Sequence, residues 1–428
     1  MSGTVAVARS SRRGMACPQP AWSGDDASGR PPRASPPSTA DHGAATLAPP
    51  VRPVPVHGDP ETVSQLFEPL DFTRGPTMKN RFMLAPLTNC QSHADGTLSD
   101  DEYRWLTLRA EGGFGLTMTC ATHVQRVGQG FPGQLGAFDD VHLEGLARLA
   151  KGIRDQGSVA ICQLHHAGYR SPADLIGTQP VGPSDDADTG SRALSTEEVH
   201  QLVEDFVAAA VRCERAGFDG VELHGAHSYV ICQFLSPDLN RREDAYGGNP
   251  ENRARLLREI IDGIRERCRE DFCLGVRLSP ERMGVRMGEM LALARDLMAG
   301  GKIDFLDMSL WDCFKDPEEP EFKGRPLIEW FAELPRHGCR FGVAGQLRTA
   351  ADIERALAAG ADWVMLGRVA ILHHDYPNRL QADPDFQPVE LPVSAAHLRA
   401  EGVSETFLGY LKTLGRIGIA TEEEAAAG

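Results

Sequence analysis

Gly220-Val221-Glu222-Leu223, followed at once by His224-Gly225-Ala226-His227-Ser228-Tyr229, reads as a short strand that ends in chemistry. Two imidazoles three residues apart, with a phenol two further on, offer hydrogen-bond donors for a substrate oxygen and a proton source beside it. Polar side chains bunched at the C-terminal end of a strand are how a barrel of alternating strands and helices builds an active site. Working outward, further short β-type runs predict strands at Arg81–Ala85, Leu116–Cys120, Val159–Leu164, Leu274–Leu278, Phe305–Met308, Arg340–Val343 and Trp363–Leu366. Helical patterns lie between them. Ser195–Ala216 opens with a Ser195/Glu198 capping box, and Pro250–Arg269 has proline in its first turn. Gly288–Ala299 and Thr349–Ala359 follow, the latter closed by Gly360. Eight strands interleaved with helices over roughly 300 residues predict an α/β fold, the (β/α)8 TIM barrel. An open doubly wound sheet competes with it, and is disfavoured because no Gly-x-Gly-x-x-Gly follows the first strand.

The chain divides into three segments. Residues 1–62 are rich in Pro, Ser, Ala, Gly and Arg without periodicity, which predicts a disordered leader. Residues 63–380 hold the barrel, and 381–428 form a C-terminal extension. In that extension Leu398 to about Ile417 predicts one helix, its apolar stripe of Phe407, Leu408, Tyr410, Leu411 and Leu414 packing on the barrel or on a neighbouring subunit. A formal charge of −16 argues against nucleic acid or an anionic membrane as the main partner. No run of ~18 apolar residues suggests a membrane span. A small-molecule substrate is therefore expected, with a homo-oligomer left open. Ten cysteines occur without any Cys-x-x-Cys, and most sit in apolar runs. They read as core thiols of a cytoplasmic protein rather than ligands or disulfides.

The other strand ends can be inventoried without reference to any family. They carry Pro86 and Thr88, then Ala121, then Gln163 with His165 and His166, Arg277, Ser309, Ala344-Gly345 and Gly367-Arg368. The loops after the last two strands of such barrels commonly hold a phosphate, using bare backbone N–H groups and a cation. Gly345, Gly367 and Arg368 suit that role, against a competing reading as ordinary turn glycines and a surface arginine. A His-x-x-His also suits a metal pair, yet no third ligand has the spacing, so no metal is expected. Adjacent His165 and His166 cannot both face the mouth from a regular strand.

Taken together, these stretches resemble the Old Yellow Enzyme family of flavin-dependent NADH:flavin oxidoreductases, bacterial type. The resemblance runs from Lys79-Asn80-Arg81 through Pro86-x-Thr88, Gln163 to Gly168, His224 to Arg253, Gly342 to Gly345 and Gly367-Arg368. It implies non-covalent FMN, reduced by NAD(P)H, which then passes hydride to an activated alkene such as an α,β-unsaturated carbonyl. It implies that Pro86, Thr88 and Ala121 line the ring and that Gln163 reads its pyrimidine edge. Arg277 stands beside the N1 and C2-carbonyl edge, and Gly345, Gly367 and Arg368 cradle the phosphate. His224 and His227 grip the substrate, and Tyr229 supplies the proton. Competing functions are an NAD(P)H oxidase, a nitro or nitroester reductase or a flavin dehydrogenase on the same scaffold, and more distantly a flavin-free barrel lyase.

Overall fold

Eight parallel strands close on themselves: β1 (Phe82–Leu84), β2 (Leu116–Met118), β3 (Val159–His165), β4 (Gly220–Gly225), β5 (Cys273–Leu278), β6 (Phe305–Ser309), β7 (Arg340–Ala344) and β8 (Trp363–Leu366). Each pairs with the next, and β8 returns to β1 with Val364 beside Phe82. The computed structural model describes residues 65–415 and 417–420, so the expected leader and the closing Glu422–Gly428 run lie outside the described residues. The main outer helices are α1 (Asp100–Glu111), α2 (Leu143–Arg154), α3 (Thr196–Arg215), α4 (Arg255–Arg267), α5 (Met287–Ala299), α6 (Leu327–Ala332), α7 (Ala350–Ala358) and the short α8 (Arg368–Leu372).

The strand interiors divide into two zones. Toward the N-terminal end, Met83, Leu116, Met118, Ile161, Cys273, Phe305, Trp363 and Met365 form a dry apolar plug. Phe72 seals it from below, 5.5 Å from Trp363 and 5.9 Å from Phe305, on a segment where Leu70 and Met78 exchange two backbone bonds. Gly275 is needed here because a Cβ would lie 2.0 Å from the Phe305 ring. Toward the C-terminal end the inward positions become polar: Gln163, His165, Glu222, His224, Arg277, Asp307 and Ser309. Alternation along each strand aims these residues at one mouth.

Local signals act where the sequence places them. Ser195 and Glu198 form both arms of the capping box on α3, Thr349 and Asp352 do the same on α7, and Gly360 follows α7 at φ +105°. Two helix expectations are corrected. Pro250–Arg269 is interrupted at Ala254, where a four-residue turn gives way to α4, and the helix ends at Arg267. Arg253 is drawn aside at this point to bond the Leu235 carbonyl and Glu289. The tail is more helical than expected. Besides α9 (Tyr376–Ala382) it contains two helices, α10 (Ala395–Ala400) and α11 (Glu405–Leu414), where one was expected. Gly402 at φ +78° breaks the run and Ser404 caps α11. The tail docks on its own barrel: Phe407 meets Trp105 edge-on at 4.8 Å, and Arg109 donates to the Glu401 carbonyl at 2.8 Å.

Candidate active site

After His224 the chain turns back through His227 and Ser228, two non-glycine residues at φ +60° and +59°. Side chains from other elements hold this turn. Ser279 Oγ accepts from the His227 N–H at 3.0 Å, and Arg170 donates to the His227 carbonyl at 2.8 Å. Gln233 donates to the Ser228 and Ala167 carbonyls at 2.8 and 3.0 Å, and the Ser228 and Tyr169 hydroxyls share a bond of 2.6 Å. The turn delivers three rings to one place. Tyr229 lies 4.9 Å from His224 and 6.5 Å from His227, centroid to centroid, with the Arg170 guanidinium 5.1 Å over its face.

His224 Nε2 and His227 Nδ1 are 2.8 Å apart, so a single proton occupies their contact. Burial holds both imidazoles well below their usual range, and the Arg277 and Arg170 cations push the same way. Two neutral rings sharing one proton present one N–H outward between them, not two. Either His227 Nε2 or His224 Nδ1 is then the donor for a substrate oxygen. His224 Nδ1 is buried with no protein partner. Burial pushes the Tyr229 phenol upward, against the pull of Arg170, so it stays protonated at neutral pH.

The adjacent histidines separate as alternation requires. His166 turns outward, its Nδ1 accepting from Gly168 and its Nε2 meeting Gln125 at 3.0 Å, and burial lowers it to about 3. His165 faces the mouth, 4.3 Å from Tyr229 and 5.3 Å from His224. Gln134 donates to its Nδ1 at 3.1 Å, which leaves the proton on Nε2, an atom with no protein partner. His165 and Arg170 are thus site residues that sequence reasoning left unassigned. Inward parity along β3 was the available signal for His165. Arg170 had none, because it follows the strand in a short 3-10 turn.

Two adjoining cavities cover the mouth. One, about 630 Å³, is lined by Pro86, Thr88, Trp311, Gln346 and Arg368 below and by Phe407, Tyr410 and Leu411 of α11 above. The second, about 740 Å³, is lined by Phe131, Tyr169, Arg170, Ser228 and Tyr229. Thr88 and Tyr410 border both. Gln163 and Arg277 lie buried at the strand ends, bonded to Glu222 at 2.5 Å and to Ser309 at 2.9 Å respectively. Ala121 is buried and lines neither cavity, its carbonyl accepting from Gln134. Gly367 precedes α8, and a Cβ there would touch Leu87 at 3.3 Å. A Cβ on Gly345 would press on the Cys313 backbone at 2.8 Å, so the protein's own packing already demands that glycine. Exposed Arg368 bonds Gln346 at 2.5 Å. Bare backbone and a cation at one end, with an amide, a guanidinium and orphaned imidazole nitrogens at the other, suit a polar heterocycle with an anionic tail.

The sequence profile of the NADH:flavin oxidoreductase / NADH oxidase family matches residues 65–383. The chain belongs to that family. It is 36% identical over 333 residues to the probable NADH-dependent flavin oxidoreductase YqiG of Bacillus subtilis (strain 168), covering 75% of this chain and 89% of that one. Among solved structures, the old yellow enzyme homologue from Zymomonas mobilis superposes with a TM-score of 0.68 at 28% identity, over 81% of this chain and 98% of that one. Morphinone reductase gives 0.66 at 26% identity, over 84% and 97%. The protein is therefore an NAD(P)H-dependent flavin oxidoreductase of the Old Yellow Enzyme type that uses non-covalent FMN. Among the described residues no helix is long and apolar enough to cross a membrane.

Proposed function

We propose that this flavin oxidoreductase is an ene-reductase acting on activated alkenes. The observation that carries the reading is the packed cluster of His224, His227, Tyr229 and His165, whose Tyr229 lines the larger cavity. In this reading Pro86 and Thr88, with Ala121 buried behind them, would hold the FMN ring, Gln163 and Arg277 would serve its polar edge, and Gly345, Gly367 and Arg368 would hold its phosphate. When bound, FMN would supply the two-electron hydride chemistry, with NAD(P)H as its reductant.

The chain's own residues do the rest. The single outward N–H of the His224–His227 pair binds the substrate's carbonyl oxygen and draws charge from the double bond. The β-carbon is thereby made electrophilic, and negative charge develops toward the α-carbon and oxygen. Tyr229 donates a proton to the α-carbon, the C–H bond forming as its O–H bond breaks, with solvent restoring the phenol. Arg170, 5.1 Å from that ring, favours the transient phenolate. Phe131 and Tyr410 wall the cavity and limit water, which suits a weakly polar alkene.

Steady-state turnover with cyclohexenone, a maleimide, a nitroester and oxygen alone tests the reading. The two alkenes should be turned over fastest. A rate that is the same with oxygen alone identifies an NAD(P)H oxidase instead, and preference for the nitroester identifies a nitroester reductase.

A further inference from the structure

Below the mouth, β4, β5 and β6 turn Glu222, Arg277 and Asp307 into the barrel, where the two acids are fully buried and the arginine nearly so. The strand register puts Glu222 beside Gln163 and puts Asp307 beside Arg277. Glu222 Oε2 accepts from Gln163 Nε2 at 2.5 Å, whereas Glu222 Oε1 and both Asp307 oxygens have no bond to any donor. A void is shaped for Asp307: a Cβ on Gly342 would sit 1.9 Å from its Oδ1 and 2.2 Å from Trp363 Nε1. Glycine at 342 thus lets a carboxyl group and an indole N–H approach each other on top of the apolar plug.

Charge counting shows what this cluster requires. Two ionised carboxylates and one guanidinium would leave an uncompensated negative charge where no water reaches, which is strongly disfavoured. Keeping one proton on the two acids removes the excess, as when carboxyls share a site. Burial and the Glu222 charge both push Asp307 well above the usual carboxylate range, with Arg277 and Trp363 opposing them. Burial raises Glu222 too, opposed by Arg277, Asp307 and Gln163. The groups facing the pair are therefore Arg277 from β5, Gln163 from β3 and Trp363 from β8. On these directions the shared proton falls to Asp307, the acid pushed up by both burial and its neighbour's charge, and Glu222 keeps the negative charge within the field of Arg277.

We propose that Glu222 and Asp307 form a one-proton acid pair that sets how much positive charge Arg277 presents to FMN, and so sets the cofactor's reduction potential. The proposal rests on the reading of Arg277 as the cation at the ring's polar edge. Glu222 acts here as a positioning residue, partly cancelling Arg277 and keeping reduced FMN from being bound too tightly to give up its electrons. Asp307 spares the site a second negative charge.

The potential of the FMN-loaded enzyme, measured by anaerobic dye equilibration against pH, tests this. Glu222→Gln keeps the contact with Gln163 but removes the charge. It should favour reduced over oxidised FMN at least tenfold, an upward shift of about 30 mV for two electrons. Asp307→Asn mimics the protonated acid. It should leave the neutral-pH potential within threefold of wild type on the same scale and abolish the alkaline inflection at which wild type loses the shared proton. Infrared spectra of the apoprotein supply a readout without cofactor: a protonated-carboxyl band at neutral pH should be present in wild type and missing from Asp307→Asn. An unchanged potential in Glu222→Gln overturns the proposal, as does an equal shift in both variants or no carboxyl band in wild type. Arg277→Met separates the two layers. If its potential falls while Glu222→Gln stays at wild type, the acid pair is refuted alone; if it too is unchanged, the placement of Arg277 is refuted and the proposal with it.

Discussion

Ser228 offers a sharp test of how the turn between His224 and Tyr229 is held. Its backbone sits at φ +59°, a region in which a side chain costs about 1–2 kcal/mol and glycine costs nothing. Its hydroxyl recovers part of this through the 2.6 Å bond to Tyr169, worth about 0.5–1.5 kcal/mol. Ser228→Ala loses the bond and keeps the strain, so it should destabilise by about 1 kcal/mol. Ser228→Gly loses the bond and the strain, and its freer unfolded chain costs about 0.5–1 kcal/mol, so the net change should lie near zero. The difference between the two variants, about 1 kcal/mol in favour of glycine, isolates the backbone term. Thermal unfolding of both variants with FMN saturating measures it directly. Alanine as stable as glycine would show that the left-handed turn is not strained, and that the packing of Gln233 and Arg170 alone defines it.

Three further outcomes follow from the same geometry. His224→Ala and His227→Ala should each weaken a phenolic ligand by roughly tenfold while FMN stays bound, and the double variant should lose less than the product, because the rings share one proton; multiplicative losses in ligand titrations would show two independent donors. Tyr229→Phe should slow the oxidative half-reaction with alkene on the order of 10²-fold and leave reduction by NAD(P)H unchanged in stopped-flow traces, whereas equal rates would make water the proton source. Arg277→Met should cost on the order of 1–3 kcal/mol, because Ser309 loses its bond and the buried Glu222 charge loses the field of a nearby cation. In that variant the folded-state Glu222 carboxyl rises further above its unfolded value near about 4.3, so the stability present in acid is lost as pH climbs past that value. Denaturation midpoints that do not diverge from wild type with rising pH would contradict it.

The strands were legible because each is a short, mostly apolar run, and all eight expected runs became barrel strands. Helix boundaries were harder. Nothing in Pro250–Arg269 signals that Arg253 will be pulled toward Leu235 and Glu289, since those partners are distant in the chain. Gly402, the breaker of the tail helix, was visible, yet an apolar stripe running past it masked the break. At the site, residue types were readable while their mutual bonding was not. The sequence shows His224 and His227 at helpful spacing, but only the φ values at 227 and 228 bring their nitrogens together and halve the outward donors. Much of the diagnostic block after Tyr229 is scaffolding: Gln233 bonds the Ser228 carbonyl of the turn, while Asn240 and Arg253 bond the Phe234 and Leu235 carbonyls that end the next helix. The tail's contribution of Phe407 and Tyr410 to the cavity was invisible from spacing, because it depends on α11 docking against Trp105.

The central claim is that an alkene reaches the reduced FMN at the mouth framed by His224, His227 and Tyr229, and an anaerobic two-stage titration tests it most directly. Stoichiometric NADH or NADPH should bleach the visible flavin spectrum of the purified enzyme, and cyclohexenone added without oxygen should restore it, more slowly in Tyr229→Phe. A spectrum that bleaches but returns only on admitting air, or a protein that stays colourless after incubation with FMN, would contradict the account.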